Sequence, residues 1–325
     1  MILRITLLLI SIGLSAQAMT LDVAELLGHN NEVHSVSFSK NGKYLASGSS
    51  DTSVIVWSTE DKKELFKIHD HQRTVYSVAF SKLNNNILAT SSSDGHLILW
   101  DINTKQKLKT LVKGNNTSNG IMSLDFSPTN HLLAVSYMGG ELALWDTQKG
   151  ELVDVVKAHM GGFVLTVKFS HNGKRILTTG GIDNDIRVFN TSDLSLREVF
   201  HDRNSNSTVW DASFSPVNND IVSVNSYGNL ELWREGKSNI IKRVSINNYL
   251  AQSVEYSADG SKIYAGVDAF NSEKENYLKI IDAKSLKIID KIDLHKNRIR
   301  GMDISKDGKH LATASWDESV KLINL

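Results

Sequence analysis

Two markers recur through this chain at a nearly constant interval, and that recurrence limits its fold more than any single residue does. Phe38-Ser39 returns as Phe80-Ser81, Phe126-Ser127, Phe169-Ser170 and Phe214-Ser215, with weaker copies at Tyr256-Ser257 and Ile304-Ser305. The intervals between successive copies run from 42 to 48 residues. A second marker keeps step: Trp57-Ser58, Trp100-Asp101, Trp145-Asp146, Phe189-Asn190, Trp233-Arg234, Ile281-Asp282 and Ile323-Asn324. Between the markers, runs such as Val33-His34-Ser35-Val36-Ser37-Phe38 alternate with period two, the signature of half-buried strands, and Asn41-Gly42 is a tight-turn signal. A unit of three short strands cannot bury its apolar faces alone, so seven such units must stack on one another.

A Gly28-His29 start, a Trp-Asp end and a period near 44 residues resemble the WD-repeat family. The resemblance covers essentially everything after residue 20. It implies an all-β, seven-bladed β-propeller of four-stranded antiparallel blades, one domain over residues 19–325. It also implies that the segment Leu21 to Leu27 supplies the outer strand missing from the seventh unit, which ends on Val320 to Leu325. Closure of that kind removes an exposed sheet edge.

The first eighteen residues have a different character. Arg4 gives a positive start, Ile5 to Leu14 is an apolar run too short to span a bilayer, and Ala16-Gln17-Ala18 fits a small-x-small cleavage site. They predict a signal peptide over residues 1–18, cleavage after Ala18, and no stable membrane insertion afterwards. An exported chain without cysteine suggests a bacterial-type periplasmic or secreted protein, because large extracellular eukaryotic domains usually carry disulfides. Thirty-six basic residues balance thirty-six acidic ones, so no global charge points to nucleic acid as a partner.

The resemblance also implies a buried hydrogen-bond network in the regular units. Its members are His29, Ser47, Asp51 and Trp57 in unit one, and His71, Thr90, Asp94 and Trp100 in unit two. Unit four keeps His159, Thr179 and Asp183, and unit seven keeps His295, Thr313 and Asp317. The chemistry is coherent, since a carboxylate accepts from imidazole, imidazole meets the hydroxyl, and the indole N–H finds an acceptor. Asp125 has no place in such a network and is expected to matter less.

Catalytic signatures are missing. There is no nucleophile elbow and no thiol, and Gly236-Lys237-Ser238 lacks the leading glycine of a phosphate loop. The network accounts for the His, Asp and Ser/Thr combinations, so neither a triad nor a cofactor is expected. His69-Asp70-His71 is the best metal candidate, but His71 already belongs to the network, so no metal site is assigned. His34 and His96 look isolated and solvated when each is taken singly.

In the family that this chain resembles, the residue after the first apolar position of each inner strand rims the central channel on the top face. That register gives His34, Tyr76, Met122, Leu165, Trp210, Gln252 and Arg300. Ser50, Ser93, Ile182 and Trp316 approach the same rim, and Phe163 and Arg298 lie two positions upstream of Leu165 and Arg300. The longer connections, Lys113 to Gly120, His201 to Ser207 and Ala269 to Asn276, fall on that face too, as expected of a binding surface. Trp, Tyr and Arg are the residue types that carry binding energy at protein interfaces. The chain is therefore expected to be an exported, non-enzymatic scaffold that binds a protein or peptide on its top face. Two alternatives are an accessory or maturation factor for a periplasmic metalloenzyme or respiratory complex, and a propeller enzyme. The latter needs clustered carboxylates at the channel mouth, and the rim register supplies none.

Overall fold

The computed structural model describes residues 22–113, 119–202, 206–268 and 276–325. The expected leader and most of the unit-six insertion, with Glu275 that stands near the aspartate register of that unit, lie outside them, as do the middles of the two long connections. Among the described residues there are seven four-stranded sheets, every pair antiparallel, and no helix. Within each of the first six sheets the strands lie in chain order, so each sequence unit is one blade. The inner strands are Val33–Phe38, Val75–Phe80, Ile121–Phe126, Val164–Phe169, Val209–Phe214, Leu250–Tyr256 and Ile299–Ile304.

The seventh blade is composite. Its outer strand is the first of the chain, Val23–Leu27, which pairs with Ser319–Asn324 from Val23 opposite Ile323 to Leu27 opposite Ser319. Leu26 is buried there among Val320, Leu322, Val33 and Trp57. Ring closure is thus built from both ends of the repeat array.

Seven hydrophobic clusters make up the core, and each lies between neighbouring blades. Leu45 faces the layer shared with blade seven and its neighbour Ala46 the layer shared with blade two, as the period-two pleat requires. Both faces of each sheet are therefore covered by apolar contacts. No blade has an interior of its own.

One irregularity recurs in every inner strand. The register to the next strand slips between Val33 and Ser35, Val75 and Ser77, Ile121 and Ser123, Val164 and Thr166, Val209 and Asp211, Ala251 and Ser253, and Ile299 and Gly301. Each slip is a β-bulge of one residue, which re-aims that side chain and shifts the phase of the residues after it. The bulged residues are the seven of the rim register: His34, Tyr76, Met122, Leu165, Trp210, Gln252 and Arg300.

Below the bulges, polar side chains of the inner strands tie each blade to the next. Ser35 and Ser37 accept the N–H groups of Val78 and Phe80, Ser77 that of Leu124, and Ser123 that of Val167. Asp125 accepts from Phe169 N–H at 2.6 Å and Thr166 donates to Asp211. Asp211 accepts from Val254 N–H, Ser253 donates to the Ile299 carbonyl, and Asp303 accepts from Phe38 N–H at 2.7 Å. All seven junctions are bridged. Asp125, expected to matter less than the network aspartates, is one of these bridges and also pairs with Lys82 at 2.7 Å.

Candidate functional site

The buried network comes first, because it fixes the top-face turns. His29 Nδ1 lies 3.0 Å from Asp51, its Nε2 lies 2.8 Å from Ser47 Oγ, and the Trp57 indole donates to the same hydroxyl. His71, Thr90, Asp94 and Trp100 repeat the arrangement. His295 meets Asp317 and Thr313 at 2.9 and 2.8 Å. Burial alone would push the carboxyls of Asp51, Asp94 and Asp317 up, but hydrogen bonds from the histidines and neighbouring groups hold all three well below the usual carboxylate range.

Blade four corrects one assignment. His159 Nε2 contacts Thr178, at 2.8 Å, and not Thr179, whose hydroxyl is buried without a partner among the described residues. Thr178 lies opposite Val167, the register that Ser47 holds opposite Val36. The turn from Thr178 to Asp183 is one residue longer than that from Ser47 to Asp51, so counting back from the aspartate lands one position late. Blade five, which has neither the histidine nor the aspartate, uses another solution. Buried Glu231 accepts from Asn225 and Arg243, and the Trp233 indole donates to Ser223.

The channel mouth is built on the bulges. Its cavity, about 630 Å³, is lined near the top by His34, Tyr76, Met122, Leu165 and Arg300. Trp210 lies under the guanidinium of Arg300, 5.4 Å from ring centroid to Cζ, and Gln252 is buried. Neither of these two lines the cavity. His34 is not solvated: it packs edge-on against Tyr76 and Trp316, and its Nε2 meets Ser50 at 2.7 Å. Burial, reinforced by Arg300, lowers its pKa to about 3, so the ring is neutral. Arg298 stacks over Trp316 and pairs with Asp268 at 2.7 Å.

From the mouth the surface rises onto blade four. Met160, Phe163 and Ile182 are 66%, 45% and 59% exposed. Gly162 allows Ile182 to sit against the loop, since a Cβ there would come within 2.6 Å of its Cδ1, and Gly181 abuts Leu165. The apolar rise is therefore continuous with the mouth. Tyr227 and Tyr249, in top-face loops of the next blades, are also exposed. The opposite face has short turns and the lysines Lys40, Lys43, Lys306 and Lys309.

Carboxylates do occur in the channel, one layer below the rim. Asp125, Asp211, Glu255 and Asp303 line the cavity, with Lys168 between two of them, 2.8 Å from Glu255 and 3.4 Å from Asp211. The bulge hid this layer from a simple alternation count, because it turns the third and fifth residues of the strand inward as well as the second. The signal was present three positions beyond four of the seven rim residues, Asp125 after Met122, Lys168 after Leu165, Glu255 after Gln252 and Asp303 after Arg300, and one position beyond Trp210 at Asp211. Among the described residues no group of three or more His, Asp or Glu side chains could hold a metal ion. Asp70 pairs with Lys107, and His71 is held by Asp94 and Thr90.

Three stretches, residues 21–58, 62–101 and 286–324, match the model for the WD domain, G-beta repeat, and residues 83–189 match that for the Vps8 beta-propeller. The chain is similar to the WD repeat-containing protein WDS homolog of Arabidopsis thaliana, at 26% identity over 91% of this chain and 56% of that protein. It is also similar to Autophagy-related protein 16 of the same plant, at 26% over 67% of this chain and 42% of the relative. The guanine nucleotide-binding protein subunit beta of Saccharomyces cerevisiae is 22% identical over 91% and 78%. The chain spans about half the length of the two plant relatives. These three are eukaryotic, and the bacterial-type, exported setting expected from the leader gains no support from them.

Proposed function

We propose that this chain is a non-enzymatic interaction scaffold whose top face binds a protein or peptide. WD-repeat propellers commonly serve as such scaffolds, and the repeat matches support the coarse reading. The observation that supports the finer one is the exposed apolar group Met160, Phe163 and Ile182 on blade four, joined through Gly181 and Leu165 to the channel mouth that Arg300 also lines. An exposed apolar patch bordered by polar groups marks an interaction site, and Trp and Arg are typical anchors.

The test is affinity capture with single alanine variants. Phe163→Ala and Trp316→Ala should each weaken capture by at least about tenfold, or about 1.4 kcal/mol, with folding intact. Lys43→Ala and Lys309→Ala, on the opposite face, should leave it unchanged. Loss of the partner from the lysine variants alone would end the top-face reading.

Export is proposed on the residues of the leader: Arg4, the run Ile5 to Leu14, and Ala16-Gln17-Ala18. N-terminal sequencing of protein from its native host should then find Met19 first. A soluble cytoplasmic form that starts at Met1 would refute it.

A further inference from the structure

The channel mouth holds donors that no described group of the protein accepts, beside the unpaired buried atoms Gln252 Oε1 and His34 Nδ1. The Arg300 side chain lines the cavity and stacks on Trp210, yet among the described residues its guanidinium has no hydrogen bond and no ion pair within 4 Å. The indole N–H groups of Trp210 and Trp316 are buried and lack acceptors among the described residues. A buried donor left unpaired costs about 1–3 kcal/mol, which applies to the two indoles; the Arg300 guanidinium faces the cavity, where an acceptor from outside the protein can reach it.

The rest of the channel cannot supply that acceptor. Asp211 and Glu255 share Lys168, Asp125 is paired with Lys82, and Asp303 accepts two backbone N–H groups, from Phe38 and Ile304. Arg298, beside Trp316, is committed to Asp268. Of these cations Arg300 is the one left over, because its bulge lifts it to the mouth, above the carboxylate layer.

We propose that Arg300, backed by Trp210, is a recognition point for a single carboxylate of the bound partner, an acidic side group or a free C-terminus entering the channel mouth. This rests on the top-face reading and specifies its ligand chemistry. The planar guanidinium presents paired N–H groups that match the two oxygens of a carboxylate, and stacking on the indole fixes its plane. Arg300 feels the charge of Asp211, but Asp211 is in contact with Lys168, so the guanidinium keeps its hydrogen-bonding edge open for one carboxylate. A doubly charged phosphate would bring its second charge toward Asp211, Glu255 and Asp303 without a further free cation to meet it.

The probes are the methylamides of N-acetylglutamate and N-acetylglutamine, which differ only in the charged group. Each is titrated into the ¹⁵N-labelled protein while the indole N–H signals are followed, with Trp210 assigned by its absence in Trp210→Phe. The glutamate probe should shift the Trp210 signal saturably, in the millimolar range expected of one charge-assisted contact, and the glutamine probe should not. N-acetylglycine, a free terminal carboxylate, distinguishes the two sources: a stronger response to it assigns a C-terminus, a weaker one a side group. Arg300→Met should weaken the response at least tenfold and Arg300→Lys should retain part of it. If Arg300→Met does not fold, the wild-type comparison of the two methylamides decides alone.

Equal shifts with both methylamides, no shift with either acid, or a response to inorganic phosphate only would overturn the assignment. The two levels separate cleanly. Capture lost in Phe163→Ala but intact in Arg300→Met, with no glutamate response, removes the carboxylate and leaves the scaffold. Capture intact in Phe163→Ala and Trp316→Ala removes the scaffold reading itself.

Discussion

Asp303 accepts the backbone N–H of Phe38 at 2.7 Å, and that bond ties the inner strand of the last blade to the inner strand of the first. Burial pushes the Asp303 carboxyl up to about 7, with the N–H of Phe38 opposing the rise, Glu255 adding to it and Lys82 opposing it. An acid whose pKa is raised by folding is penalised when ionised. Its contribution to stability therefore falls as pH rises from about 4, the ordinary carboxylate value, through about 7, at up to about 1.4 kcal/mol per pH unit. Asp303→Asn keeps an oxygen for Phe38 and removes the charge. Relative to the parent, the variant should gain stability progressively between those pH values and hold a constant advantage above them, as measured by urea midpoints. A difference independent of pH would show that the carboxyl does not titrate in this window.

The network aspartates carry the opposite sign. Asp51, Asp94 and Asp317 are held low, so their contribution is present above the ordinary carboxylate range and is lost as pH falls through it. Asp51→Ala and Asp94→Ala should each cost about 1–3 kcal/mol near neutral pH, because each leaves imidazole and backbone donors unpaired. Asp125→Ala now belongs with them. It breaks the bridge to Phe169, and a denaturation midpoint equal to that of the parent would contradict that role.

Two adjacent threonines give a sharper test. Thr178→Val removes the acceptor or donor facing His159 and should destabilise by about 1–2 kcal/mol. Thr179→Val replaces a buried hydroxyl without a partner among the described residues and should be neutral or stabilising. A reversed order of the two midpoints would put Thr179, and not Thr178, against His159.

Lys168 is a cation held between two carboxylates, and despite burial the charges of Asp211 and Glu255 keep its pKa above the ordinary lysine value. Lys168→Met leaves those carboxylates facing each other and should cost about 3–5 kcal/mol. Adding Glu255→Gln should recover a substantial part. Thermal melts of the two variants check both statements, and no recovery in the double variant would mean that packing, not charge, is the role of Lys168.

Ring closure has its own test. Removing Val23–Leu27 strips the partner of Ser319–Asn324 and uncovers Val320 and Leu322. Aggregation or a broadened unfolding transition is expected. A truncated protein that stays monomeric and unfolds at the same midpoint would show that this strand is dispensable.

Seven units were legible because the Phe-Ser and Trp-Asp markers keep one register along the chain, and the four-stranded blades and the closing strand followed from the family resemblance that those markers carry. The network histidines of blades one, two and seven were likewise what the resemblance implies at positions that match its motif. What escaped had a local cause. One extra residue between Thr178 and Asp183 moved the hydroxyl of blade four, and Glu231 replaced a motif instead of varying it. The carboxylate layer was missed because an alternation count continues through a bulge and the backbone does not. Arg300 was visible as a rim residue, but its unpaired state depends on which acids Lys168 and Lys82 neutralise, and those pairs join different blades.

The bulge that opens each inner strand separates what the ring displays from what holds it up. Val33, Val36 and Phe38 go into the layer between blades, Ser35 and Ser37 bridge to the next blade, and His34 alone is looped out to the mouth. The bulge recurs in all seven strands, and five of the looped-out residues, His34, Tyr76, Met122, Leu165 and Arg300, reach the mouth. A change at one of these five positions alters the mouth without altering the phase of its own strand, so they behave as seats around one table. Recognition can then be rewritten seat by seat, by drift or by design, while the frame beneath keeps its register.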